Sequence, residues 1–192
     1  MTLGTLLCLA ALALGQEQKK PVPQGTELGA IGSYAKSIDQ FTKRSLRRKR
    51  IFANVAGEEE KQDKWRELKS VRQASDQNPY ESANVWLRDG KVVVAYFAFT
   101  SPSGDWFHYV NYYYRADGTL AKIHSQLNTF YSNKGGLSVV REKFFSVSGK
   151  LLHTSTRYLD LESQKSRKRQ EFMDEPIPGY KTVRDLPFSK LL

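Results

Sequence analysis

The chain has 192 residues and a formal net charge of +10, from 30 Lys and Arg against 20 Asp and Glu. That length suits one ordinary domain with a real core. Its single cysteine, Cys8, lies in an apolar N-terminal run, so a processed chain would have no disulfide, thiol nucleophile or thiolate metal site.

Met1 to Gly15 carries no charged side chain and is apolar from Leu6 to Leu14. A bilayer span takes roughly 20 apolar residues, so this run is too short to cross one and has the form of a secretory signal peptide, cut near Gly15. Leu6 and Leu7 precede Cys8 where a lipid-modified cysteine needs a small residue, so a lipoprotein is not expected. The expected location is secreted or periplasmic. Residues 16–27, with Pro21, Pro23 and Gly25, are expected to form a flexible leader. The rest, 28–192, is expected to be a single α+β domain: 28–80 mainly helical, 81–160 a β-meander, and 161–192 a basic, proline-containing tail docking on the domain.

Ile31, Tyr34, Ala35, Ile38 and Phe41 recur at three- and four-residue intervals, which predicts a helix over 28–42. Six of the next eight residues are basic: Lys43, Arg44, Arg47, Arg48, Lys49 and Arg50. The plain reading is a solvated basic face. The functional one is an anion-binding patch for phosphate or lipid headgroups, and the run also has the form of a dibasic processing site. Ile51 to Val55 suggests a short strand. Residues 58–75 suggest a second helix, with Glu58, Glu59 and Glu60 suiting its positive end and Trp65 and Leu68 on an apolar stripe.

From Ala83 to Asp160, runs rich in Val, Tyr, Phe, Trp and Thr alternate with turns holding Gly90, Gly104, Gly118, Gly135 with Gly136, and Gly149. Asp-Gly and Ser-Gly between such runs signal hairpins, because tight turns need the positive φ that Gly adopts cheaply. Strands are predicted at 83–88, 91–100, 106–115, 119–131, 137–147 and 150–160, long enough to require a strongly twisted sheet. Beyond them lie a second basic cluster, Lys165, Arg167, Lys168 and Arg169, a possible edge strand at 171–173, and an apolar end containing Tyr180, Val183, Leu186 and Phe188. The expected architecture is α+β: N-terminal helices packed on a long, twisted antiparallel β-meander of six to seven strands.

Two-residue loops at Asp117-Gly118 and Ser148-Gly149 would pair Ala116 with Thr119, Tyr112 with Ile123 and Phe144 with His153. Side chains alternate along strands, so each strand acquires two faces. One face then carries Val92, Val94, Tyr96, Val110, Tyr112 and Ile123, and is the face expected to lie under the helices. The other carries Phe97, Phe99, Tyr109, Asn111, Tyr113, His124, Gln126, Glu142, His153 and Arg157. Aromatics mixed with hydrogen-bonding groups line many clefts for small ligands, and also the wet faces of ordinary sheets.

The chemistry of a catalytic centre is thin. The three histidines, His108, His124 and His153, lie on separate predicted strands. With a strand spacing of about 4.8 Å, His124 and His153 would stand too far apart to share an ion, so no metal and no cofactor is expected. No Gly-x-Ser-x-Gly and no phosphate-cradling loop is present. No motif assigns a family. The order of helices before a meander resembles, at the level of fold alone, exported α+β proteins in which a curved sheet wraps a helix, and this implies no function.

The leading expectation is a non-catalytic binding or envelope-interaction module, holding an apolar or amphipathic ligand on its open sheet face through Tyr109, Asn111, Tyr113, His124, Gln126, Glu142, His153 and Arg157. The alternatives are electrostatic binding of an anionic polymer or membrane surface through the two basic clusters, and a hydrolase built on His124, Glu142 and His153. Export would put nucleic acid out of reach as a partner.

Overall fold

The computed structural model describes residues 24–56, 63–70, 72–73, 79–130, 132 and 135–192. The expected signal peptide and residues 16–23 of the expected leader lie outside the described residues. A long helix, α1 (Gln24–Arg44), leads through a 3-10 turn at Leu46–Arg48 into nine strands. These are β1 (Arg50–Asn54), β2 (Trp65–Leu68), β3 (Glu81–Arg88), β4 (Lys91–Thr100), β5 (Trp106–Tyr114), β6 (Leu120–Thr129), β7 (Leu137–Phe145), β8 (Leu151–Asp160) and β9 (Ser166–Arg167). All pair antiparallel in one sheet of order β2-β1-β3-β4-β5-β6-β7-β8-β9.

The α+β character stands, but the sheet has nine strands rather than six or seven, and α1 is the one long α-helix among the described residues. The second helix expected over 58–75 is corrected at Trp65–Leu68, which is β2, paired with β1; residues 72–73 are helical, and 58–62, 71 and 74–75 lie outside the described residues. Trp65 and Leu68, three apart, suit one face of a helix. In a strand the same odd spacing sends them to opposite faces. Trp65 packs on Phe97 and Phe188, while Leu68 joins Ile51 and Ala53. In place of an edge strand at 171–173, Phe172 makes an isolated bridge to Ser132, and β9 forms the edge.

α1 begins at Gln24 rather than at 28, with Glu27 in its first turn and Lys43 and Arg44 in its last, each of the sign the helix dipole favours. Its buried residues Ile31, Ala35, Ile38 and Thr42 follow the four-three-four spacing of a single face. That face meets the sheet at Trp86, Val94, Tyr96 and Tyr113.

The helix lies over Val94 and Tyr96 of β4, as expected, but on the opposite side of β5 to β8 from the one expected. Tyr112 and Val110, expected under the helix, join Phe97 on the other face, which the C-terminal tail covers. Phe188 stacks on Phe52 with ring centroids 4.2 Å apart, and Tyr180 packs on Phe97 and Tyr112, both at 5.3 Å. The hydroxyls of Tyr112 and Tyr114 donate to the carbonyls of Pro178 (2.8 Å) and Tyr180 (3.2 Å). These tyrosines are buried hydrophobes whose polar tips need partners, and the irregular tail supplies free carbonyls. Arg50 ties down the chain end, donating to the carbonyls of Leu191 and Leu192 while its guanidinium forks onto Glu67 at 2.7 and 2.6 Å.

Candidate functional site

The pairings across β4 to β7 put Tyr96, Asn111, His124 and Glu142 in one row, since Tyr96 pairs with Asn111, Asn111 with His124 and His124 with Glu142. The adjacent row holds Val94, Tyr113, Lys122, Phe144 and His153. α1 packs on β3, β4 and β5 through Ala35 and Ile38, also reaches β6 and β8, and leaves a cleft of about 590 Å³ beside these rows. Lys36, Asp39, Thr42 and Lys43 line it from the helix, Leu46 from the 3-10 turn, and Trp86, Tyr96, Asn111, Tyr113, Lys122, His124 and Glu142 from the sheet.

Two polar groupings sit in this cleft. In the first, Oδ1 of Asp39 accepts hydrogen bonds from the Tyr96 and Tyr113 hydroxyls, both at 2.8 Å. Thr42 braces the helix here by donating to the Asp39 carbonyl at 2.9 Å. Burial pushes the Tyr96 phenol up to about 12, and its bond to Asp39 adds to the rise. Burial, reinforced by Tyr96 and Asp39, also raises Tyr113 well above the ordinary phenol range. Both hydroxyls therefore remain protonated donors at neutral pH.

In the second, Nζ of Lys122 contacts Oε1 of Glu142 at 2.6 Å and lies 4.9 Å from the centre of the Phe144 ring. Nδ1 of His124 stands 3.7 Å from the same Glu142 oxygen, beyond hydrogen-bond length. Burial would raise the Glu142 carboxyl, but the bond and charge of Lys122, with His124 adding, outweigh it and hold the group below its usual range. His124 is pushed down, chiefly by burial, with the Lys122 charge helping and Glu142 opposing. The imidazole is thus neutral at pH 7, a hydrogen-bonding group beside a compensated carboxylate.

The structure brings Asn111, Tyr113, His124 and Glu142 together in the cleft. Tyr109, Gln126 and Arg157 share their face one row further along, beyond the cleft. Tyr109 is 46% exposed, and Gln126 donates to Asn128 and Ser138, both at 3.1 Å. His153 is exposed, its ring 5.9 Å from that of Phe144. His124 pairs with Glu142, whereas His153 pairs with Phe144 on the next row, as the register from the turns predicted. Among the described residues no group of three or more His, Cys, Asp and Glu converges as a metal site.

Comparison with known proteins gives no match: no protein-family model, no curated protein and no solved structure is significantly similar to this chain.

The basic clusters divide into free and committed members. Lys43, Arg44, Arg47 and Arg48 are exposed and Lys49 is partly buried, whereas Arg50 is taken by Glu67 and the C-terminal carbonyls. In the second cluster Lys165, Lys168 and Arg169 are exposed, and Arg167 is paired with Asp160. The clusters sit at opposite ends of the strand order, one entering β1 and the other around β9. The site residues missed from sequence are Lys36, Asp39, Thr42, Leu46, Trp86, Tyr96 and Lys122. Tyr96 and Lys122 were legible in principle from cross-strand pairing. Asp39 had no local signal, because it follows Ile38 on a helix where a polar residue beside the apolar stripe reads as solvent-facing.

Proposed function

We propose that this chain is an exported, non-catalytic binding module whose cleft between α1 and the sheet takes a small amphipathic ligand. The observation that carries this is the mixed lining of one 590 Å³ space, within the size range of small-molecule sites. Trp86 and Leu46 offer apolar surface, and Asn111, His124, Lys122 and Glu142 offer donors and acceptors on one wall. The tyrosine hydroxyls are already spent on Asp39, the Thr42 hydroxyl donates to the Asp39 carbonyl, and among the described residues no serine or threonine hydroxyl is hydrogen-bonded to His124. This supports binding over hydrolysis.

Native mass spectrometry of the protein from an exporting host tests the reading. A retained small-molecule mass in the wild type, lost in both Asn111→Ala and His124→Ala while the fold is kept, is expected. Binding should change little between about 50 and 200 mM salt, unlike attachment to a polyanion. A ligand retained equally by both variants, or amide shifts on ligand titration that avoid α1 and β5 to β7, would overturn it.

A further inference from the structure

The corner between α1 and β1 carries four exposed basic residues in six, Lys43, Arg44, Arg47 and Arg48, and none of them is in an ion pair with a described residue. In their midst Leu46 is 61% exposed, although apolar. The corner is held rigidly. The indole N–H of Trp86 donates to the Ser45 carbonyl at 3.2 Å, the Ser45 amide to Thr42 at 3.1 Å and the Arg48 amide to Ser45 at 2.9 Å. Leu46 is therefore presented to solvent by a fixed backbone. Beyond Arg48, Lys49 is partly buried and Arg50 is withdrawn into the Glu67 pair, which marks where the exposed basic run ends.

We propose that this corner docks the protein on an anionic lipid bilayer, with Leu46 entering the interface and Lys43, Arg44, Arg47 and Arg48 meeting lipid headgroups. Basic residues near an anionic membrane each add attraction that decays within a Debye length, and an apolar side chain among them adds hydrophobic insertion. Leu46 is what favours a bilayer over a soluble polyanion, since it gains little from a hydrated polymer. The two basic clusters occupy opposite ends of the strand order, so the cluster around β9 is not required for this contact. The proposal does not rest on the cleft holding a ligand, although Leu46 and Lys43 also line the cleft.

The test is co-sedimentation of the full chain with vesicles of phosphatidylcholine alone or with about 30% phosphatidylglycerol, the anionic fraction chosen to give a surface potential that attracts polybasic segments. Retention on heparin is measured alongside. All variants share the apolar N-terminal stretch, so differences between them report the corner. Binding only to the anionic vesicles is expected, falling at least tenfold in the Arg47→Gln, Arg48→Gln double variant. Leu46→Ala should weaken vesicle binding several-fold and leave heparin retention unchanged. Lys165→Gln with Lys168→Gln should leave vesicle binding within about twofold, as charges more than a Debye length from the contact are screened. No preference for anionic vesicles, or vesicle binding indifferent to both corner variants, would overturn the proposal. So would equal loss of vesicle and heparin binding in Leu46→Ala, or transfer of the main loss to the Lys165 and Lys168 variant. Circular dichroism checks that these exposed substitutions leave the fold intact.

Discussion

Asp39→Ala removes one carboxyl and strands two tyrosine hydroxyls. The Tyr113 side chain is 3% exposed and has the Asp39 oxygen at 2.8 Å, and Tyr96 donates to the same oxygen while standing 3.5 Å from Thr42. A buried polar group left without a partner costs about 1–3 kcal/mol, whereas the bond itself contributes a net of about 1 kcal/mol. Asp39→Ala should therefore cost about 2–4 kcal/mol, shared between Tyr113, which keeps Asn111 nearby, and Tyr96, which keeps Thr42 nearby. Tyr113→Phe deletes donor and orphan together, so alone it should cost only about 1 kcal/mol. In the Asp39→Ala background Tyr113→Phe should be neutral or stabilising. Urea denaturation at pH 7 of the four proteins in this cycle measures the coupling, with unchanged m-values confirming that the unfolded states are comparable. A cost for Tyr113→Phe that is the same in both backgrounds would refute the reasoning, since it would mean that the hydroxyl and the carboxyl do not depend on each other.

Three further outcomes follow from other parts of the fold. His108 is 1% exposed, its Nε2 has no partner among the described residues, and burial, with the Arg141 charge reinforcing and Asp174 opposing, pushes its pKa down to about 4. The unfolded chain takes up the proton near pH 6.5 and the folded one does not. Stability from this group is therefore complete above that pH and is lost as pH falls from about 6.5 to 4, by about 3 kcal/mol. The difference between wild type and His108→Leu in denaturant midpoints across that window isolates it; parallel pH profiles would contradict the assignment. Gly29 and Gly32 lie inside α1, and a Cβ at either meets nothing within 4 Å. Gly29→Ala and Gly32→Ala should each raise stability by about 0.5–1 kcal/mol, read as a rise in Tm, and a fall would show that the helix is not formed there as described. Glu142→Gln removes the nearer of the two cleft carboxylates that raise His124, Asp39 being the other, and leaves Lys122 uncompensated. The His124 pKa, followed by NMR of its ring protons, should drop further, and a rise would break the Lys122–Glu142–His124 arrangement.

Much of the sheet was legible because turns and alternation are local. Asp89-Gly90 forms the two-residue hairpin its sequence predicts, with both residues at positive φ (52° and 73°) between the paired Arg88 and Lys91. The other two hairpins were misread yet gave correct pairs. Gly118 and Gly149 close three-residue loops, in which Arg115 bonds Thr119 and Ser146 bonds Lys150, so Ala116 does not pair with Thr119. In each hairpin a bulge beside the loop, at Ala121 and at Leu152, absorbs one residue and restores the expected register. Tyr112 therefore still pairs with Ile123, and Phe144 with His153. The irregular connection from Ser101 to Asp105 carries no such parity signal. β4 was consequently assigned to the wrong side by one residue: Phe97 pairs with Val110 and looks toward the tail, and Tyr96 takes its place in the cleft.

What lies above each face is a different kind of information. Alternation says which residues of β5 to β8 share a side, and it grouped Asn111, Tyr113, His124 and Glu142 correctly. It cannot say which side a helix will choose, because both faces of this sheet carry enough apolar area to bury something. The choice follows from the shape of the covering element. α1 presents a single narrow stripe of Ile31, Ala35 and Ile38, which needs only the short apolar strip of Trp86, Val94 and Tyr113. The broad aromatic face of Phe52, Phe97, Tyr112 and Tyr114 also has buried hydroxyls to satisfy, and an extended tail with free carbonyls at Pro178 and Tyr180 can do that where a helix, with its carbonyls already bonded, cannot. The tail's occupation of that face leaves α1 on the polar side. Asp39 thereby becomes the acceptor for Tyr96 and Tyr113 instead of a solvated surface residue, and the cleft exists because a narrow helix only partly covers a wide, mixed face.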